Sequence, residues 1–295
     1  MNPIKTSLLL AVFTIGLLSC SDEDFADDKT LNDLLFETCY SEPDNNAQPV
    51  QQIYQNTTPM KFNIGTKYSF KYRILTPTEY NSTTTQYPLI IYLHGLDARG
   101  LDNSKQMNYA AFYFIEHNNQ YPAIVVYPQC PNDAYWGLAN RPSNFHPDKM
   151  DVLPNKSYMD IGLIKLIEDL QDSYRIDAKR IYIAGHSMGG IGTLDMIATH
   201  PNIFAAAISF CGTINPLRFT TSHEVPLMLY HNADDDIITV EGSRKTYQRL
   251  LQLGSEVIYN EGSSGGHICW NEAVNTPDMI NWLYSHSLDN RNEEQ

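Results

Sequence analysis

With 295 residues, 42% hydrophobic and 11% aromatic, the chain can bury one sizeable core, and one large α/β domain suits that length better than two small ones. Acidic residues outnumber basic ones by 34 to 20, a net charge of −14 that argues against nucleic acid and anionic membrane surfaces as partners. No internal repeat is visible.

The first twenty residues read as a targeting segment. "MNPIKTSLLLAVFTIGLLSC" sets the basic Lys5 ahead of an apolar run from Leu8 to Leu18 and ends in Ser19-Cys20. Such a run is too short to span a bilayer and suits a signal peptide over residues 1–19. "LLSC" (17–20) resembles the lipobox of bacterial lipoproteins, which implies lipidation at Cys20 and an outer-membrane anchor. Next comes "SDEDFADDKTLND" (21–33), with six acidic residues against one lysine. It resembles the signal that exports lipoproteins to the cell surface in some Gram-negative bacteria; the periplasmic face is the other expected location. Residues 20–59 form an acidic tether and an N-terminal segment, solvated in either case. Cys39, Cys130, Cys211 and Cys269 would then remain, enough for two disulfides, with the pairing open. None has Cys-x-x-Cys spacing, so no metal site is expected through these thiols, and no cofactor is indicated.

The body of the chain, 60–288, alternates strands with helices. "KFNIGTKYSFKYRILTP" (61–77) alternates apolar and polar residues around Gly-Thr and predicts a β-hairpin. Short apolar or β-branched runs follow at 88–95, 123–129, 180–187, 205–212, 225–232 and 256–262. Near-continuous runs of this kind suit strands of a parallel sheet buried on both faces. Helical patterns lie between or after them at 108–118, 159–174, 190–200, 242–253 and 276–286. The alternation predicts an α/β fold with a mostly parallel central sheet, an antiparallel N-terminal hairpin at its edge and helices on both faces. Residues 289–295 read as a polar tail.

One serine stands between two glycines in "IAGHSMGG" (183–190), where the run "RIYIAGH" gives way to a helix. In a Gly-x-Ser-x-Gly elbow the nucleophile takes a strained backbone and its neighbours must be small, a place filled here by Gly185 and Gly189. Ser187 is therefore the candidate nucleophile. A serine hydroxyl needs an adjacent base, itself oriented by an acid, and in this order both lie downstream. "VPLMLYHNADDD" offers Asp234, Asp235 and Asp236 after one strand, and "EVIYNEGSSGGHICW" offers His267 in a glycine-rich loop after the next. His223, His231 and His286 lack either the order or the loop. An oxyanion would need two N–H donors: Met188, next to the nucleophile, and Leu96 in "YLHGLDARG" (92–100), with His94 holding that loop.

These stretches, with "YPAIVVYPQCPNDAYW" (121–136), "HNADDDIITVEGSR" (231–244) and "GGHICW" (265–270), resemble the secreted esterase branch of the α/β-hydrolases. That branch includes polyhydroxybutyrate-depolymerase-like and feruloyl-esterase-like enzymes and sequences grouped as peptidases. The resemblance implies an α/β-hydrolase fold, with Ser187 as nucleophile, Asp235 as acid, His267 as base, and Leu96 and Met188 as oxyanion donors. Asn232 stands where the family usually has glycine, which bears on the conformation of the acid loop. The resemblance also sets Trp136 and Trp270 near the substrate mouth, where they could stack on an aromatic acyl or sugar group. The Pro- and Asn-rich stretch 137–157 is expected to form a rim or lid.

The function expected is ester hydrolysis through an acyl-enzyme. A cell-surface location would make feruloyl or acetyl side groups of plant polysaccharide the natural substrates. The same triad could serve a serine peptidase, although the chain has no room for a separate gating domain. A non-catalytic surface binding protein is the reading from another class; retention of all the hydrolytic parts argues against it.

Overall fold

The structure, a computed structural model, describes residues 56–107, 111–220, 225–270 and 278–293. The expected signal peptide and Cys20, the expected tether as far as residue 55 and Cys39 lie outside the described residues.

Eight strands form one sheet. In chain order they are β1 (Thr58–Ile64), β2 (Tyr68–Leu75), β3 (Tyr87–Leu93), β4 (Ile124–Gln129), β5 (Ile176–His186), β6 (Ala206–Phe210), β7 (Leu227–Asn232) and β8 (Val257–Gly262). Across the sheet the order is β1-β2-β4-β3-β5-β6-β7-β8. The hairpin β1–β2 is antiparallel and joins β4 antiparallel; every later pairing is parallel. This is the α/β-hydrolase arrangement that the sequence predicts.

The apolar runs are continuous because both faces are covered. On β3, Leu89, Ile91 and Leu93 point to one core, which also takes Met159, Leu163, Leu166 and Leu170 of helix α2 (Tyr158–Ser173) and Leu194 and Ile197 of α3 (Met188–Thr199). Ile90 and Tyr92 point to the opposite core, with Phe114 of α1 (Ala111–Glu116) and Met279, Ile280 and Leu283 of α5 (Asp278–Tyr284). The period of two along each strand thus feeds two separate layers. Helix α2 starts where the Ser157 side chain accepts the Met159 N–H at 3.1 Å, a standard N-cap. Helix α4 (Glu241–Gln252) adds Leu250 to the first core. Among the described residues no helix is long and apolar enough to cross a membrane.

Residues 288–293, most of them within the stretch read as a polar tail, form a further helix, α6 (Leu288–Glu293). Its Arg291 donates to the carbonyls of Pro201 and Phe204, and Asp289 pairs with Lys179 at 2.6 Å. Those long-range contacts are invisible in a polar sequence.

The stretch 137–157 is pinned at both ends. Leu138 bridges to Lys156, the Ala139 N–H donates to the Asn155 carbonyl, and the Ser157 N–H donates to that of Gly137. Lys156 and Arg218 both donate to Asp195 of α3, whose carboxylate is fully buried. Leu138, Met150 and Phe145 pack on Ile191 of α3 and on Ile237 and Ile238, which anchors the segment to the domain. Replacing Asp195 by Ala would leave the Arg218 cation buried without its counter-charge. Asp195→Ala should cost about 3–5 kcal/mol of unfolding free energy, measured by urea denaturation.

Candidate active site

The candidate residues sit at or just beyond the C-terminal ends of β3, β5, β7 and β8, the edge of a parallel sheet where α/β folds place ligands. Ser187 joins β5 to α3 with φ 55° and ψ −119°, a left-handed conformation rare for a residue with a side chain. The turn is this tight because α3 passes close under β3: a Cβ on Gly189 would lie 2.0 Å from the Leu93 carbonyl oxygen. The Ser187 N–H donates to the Phe210 carbonyl at 3.0 Å, and the Ile191 N–H to that of Ser187 at 2.9 Å.

From this turn Ser187 Oγ reaches His267 Nε2 at 2.8 Å, and His267 Nδ1 lies 2.8 Å from Asp235 Oδ2. With the hydroxyl donating to Nε2, the other ring nitrogen carries the proton and donates to the carboxylate. The three side chains form one buried hydrogen-bonded chain. Of the three adjacent aspartates, Asp235 is the one against the imidazole. Asp234 instead accepts the N–H groups of Gly265 and Gly266 at 3.2 and 2.9 Å, bracing the loop that carries His267. Asn232 joins the same brace, its Nδ2 donating to the Gly266 carbonyl at 3.0 Å. The departure from glycine at this position therefore ties the acid loop to the histidine loop.

Asp235 has a second imidazole that sequence reasoning passed over. His231 Nε2 lies 3.1 Å from Asp235 Oδ2 and 2.9 Å from the Ile238 carbonyl. Both neighbours are acceptors, so Nε2 carries the proton, and Nδ1 accepts the Ser243 hydroxyl at 2.8 Å. Asp235 Oδ1 accepts the N–H groups of Ile237 and Ile238, each at 2.9 Å. Burial alone would raise the Asp235 carboxyl; the bonds from His231, His267 and the backbone outweigh it and hold the group well below the usual carboxylate range. The sequence signal was His231 four residues ahead of Asp235.

Both predicted oxyanion donors begin a helical turn. Met188 is the first residue of α3, and Leu96 opens the short 3₁₀ turn Leu96–Ala98. The first N–H groups of a helix have no partner within it. Among the described residues one group, Cys211, Asp235 and His267, brings possible metal-ligand atoms within 4.8 Å of one another. Both nitrogens of His267 are already engaged by Ser187 and Asp235, so this cluster coincides with the hydrogen-bonded chain. Cys211, at φ 44°, lies beneath it with Sγ 4.0 Å from His267 Nε2, and burial pushes its thiol far up.

Residues 65–290 match the family described as "Putative esterase". The chain belongs to this esterase family. It is 29% identical over 129 residues to feruloyl esterase B of Neurospora crassa, covering 43% of this chain and 40% of that protein. It is 28% identical over 108 residues to acetylxylan esterase A of Emericella nidulans, covering 36% and 33% respectively. The chain thus aligns with about a third to two fifths of the length of these curated relatives. A solved thermostable esterase superposes with a TM-score of 0.71 at 31% identity, over 80% of this chain and 64% of that one.

One expectation for this member of the family is corrected. Trp136 and Trp270 are each only 1% exposed and offer no face to a substrate. Trp136 donates its indole N–H to the His94 carbonyl at 2.9 Å, and Trp270 packs at 4.8 Å on His186 and edge-on to His267. Their size is spent on supporting the site from behind. Cys130, Cys211 and Cys269 are buried free thiols, so no disulfide forms among the described residues.

Burial lowers His94 from 6.5 to about 4, against the opposing pull of its bond to the Gly95 carbonyl. Burial, with the nearby His94 and His267, lowers His186 from 6.5 to about 3. The unfolded chain therefore takes up protons at these two positions below pH 6.5 while the folded one does not. Their contribution to stability is complete above pH 6.5 and is lost as pH falls toward 4 and 3. The slope should approach about 2.7 kcal/mol per pH unit for two such groups. Urea unfolding of wild type and His186→Phe between pH 7 and 4.5 checks this, the variant showing about half the slope.

Proposed function

We propose that the protein is a serine carboxylic ester hydrolase. The observation that carries this reading is the hydrogen-bonded chain from Ser187 through His267 to Asp235, with the Met188 N–H next to it in the chain. His267 Nε2 takes the Ser187 proton as Oγ attacks the ester carbonyl, and the N–H groups of Met188 and Leu96 receive the negative oxygen of the tetrahedral intermediate. Asp235 stabilises the imidazolium, which then protonates the departing alcohol. Water, deprotonated by the same nitrogen, releases the acid from the acyl-enzyme. The substrates in this reading are feruloyl or acetyl esters on plant polysaccharide, supported by the names of the relatives, feruloyl esterase and acetylxylan esterase. The protein would act at the outer membrane, facing outward, with Cys20 as its lipid anchor; the apolar run before Cys20 and the acidic run after it support this.

Hydrolysis of p-nitrophenyl acetate, methyl ferulate and acetylated xylan is the direct test. Ser187→Ala should lower turnover roughly 10⁴-fold or more and abolish labelling by a fluorophosphonate, and Asp235→Asn should cost about 10⁴-fold. Asp236→Asn should cost less than about tenfold. A Ser187→Ala protein that still labels would refute the nucleophile, and a crippled Asp236→Asn would refute the acid. Expressed with its full leader, Cys20→Ala should move the protein from the membrane to the soluble fraction; a variant that stays in the membrane refutes the anchor.

A further inference from the structure

His186, immediately before Ser187, is buried and has no place in the steps above. Its Nε2 accepts the Gly95 N–H at 3.1 Å. That bond requires Nε2 to be unprotonated, so Nδ1 carries the hydrogen and donates to the Tyr92 hydroxyl at 2.8 Å. The ring is stacked on Tyr92 and tilted against Trp270, which leaves it no alternative orientation. A Cβ on Gly95 would lie 2.8 Å from Nε2, so the approach itself demands glycine at 95.

A second imidazole holds the other end of the same residue. His94 Nδ1 donates to the Gly95 carbonyl at 2.6 Å, while its Nε2 accepts the Cys130 N–H at 2.9 Å. The Gly95 carbonyl belongs to the peptide whose N–H is that of Leu96. A trans peptide is planar, with C=O and N–H pointing in opposite directions, and none of the described bonds is cis. Fixing the carbonyl toward His94 therefore turns the Leu96 N–H away from His94. Gly95 is thus clamped on both sides, and the clamp on its N–H side is a side chain rooted next to the nucleophile.

We propose that His186 is a positioning residue for ester hydrolysis: by accepting the Gly95 N–H it locks the Leu96 N–H onto the oxygen held by Met188. This rests on the reading of Ser187 as nucleophile. One imidazole thereby couples the loop after β3 to the elbow after β5, so the two oxyanion donors keep a fixed separation. Burial keeps the ring neutral, as an acceptor at Nε2 must be. The interaction matters in the transition state, where the oxygen carries charge, far more than in substrate binding.

The test compares His186→Phe, which keeps a ring between Tyr92 and Trp270 but has no acceptor, with His186→Gln, whose amide oxygen can replace Nε2. With p-nitrophenyl acetate, His186→Phe should lower kcat roughly 30- to 100-fold with KM changed less than about threefold, within the range for a disturbed oxyanion donor. His186→Gln should recover most of the loss. Tyr92→Phe, which frees the ring tautomer without touching the elbow, should lower kcat several-fold at unchanged KM, and it serves where His186→Phe does not fold. A folded His186→Phe with kcat within threefold of wild type overturns the proposal, as does a His186→Gln no better than Phe, or a Tyr92→Phe equal to wild type. In all three cases the wild type remains active and labelled by fluorophosphonate at Ser187. A wild type that neither hydrolyses esters nor labels overturns the nucleophile itself, and the proposal with it.

Discussion

The contact on which the site depends is the passage of the first turn of α3 against the end of β3, where Gly189 meets the Leu93 carbonyl with no space for a Cβ. That approach leaves the chain no relaxed way from strand to helix, and Ser187 absorbs the turn at φ 55°. A conformation of this kind costs on the order of 1–3 kcal/mol and survives only when its surroundings over-determine it. Here the backbone bonds to Phe210 and from Ile191 do so, together with two cores that hold β3, β5 and α3 in register. The strain has a use. It lifts the hydroxyl off the sheet end and leaves the first N–H of α3 beside it.

A second constraint is electrostatic. A carboxylate as deeply buried as Asp235 is tolerated because it accepts from two imidazoles and two backbone N–H groups. His231 and the N–H groups of Ile237 and Ile238 hold the carboxylate on its own loop, and His267 donates to it from the other. Asp234 and Asn232 then strap the acid loop to Gly265 and Gly266. Asp235 and His267 consequently sit on two loops tied to each other, the pre-organisation that the proposed orienting acid requires.

Around this centre the large aromatics act as supports. Trp136 buttresses His94, and Trp270 packs on both His186 and His267, so both back the candidate site residues. The segment 137–157 is held by the Lys156–Asp195 ion pair, backbone bonds and a small apolar cluster. Its tip carries Leu153, 92% exposed, as an apolar projection on an acidic body.

Local patterning determined the architecture. Near-continuous apolar runs suited strands covered on both sides, the helical stretches between them predicted parallel crossovers, and the two glycines around Ser187 marked a tight turn before the helix was located. The chain order of Ser187, Asp235 and His267 was legible too, because each follows a recognisable strand. What remained for the tertiary structure was everything that depends on distance between residues remote in sequence. From patterning alone three adjacent aspartates look alike; the resemblance singles out Asp235, and the fold brings His231 and His267 to it. A tryptophan near a motif cannot be sorted into mouth or support until its neighbours bury it, and the polar C-terminal helix is tied down by Arg291, which finds carbonyls 90 and 87 residues away. His186 belongs to the same class: its partner Gly95 is 91 positions earlier, and no periodicity or propensity encodes a hydrogen bond across that span.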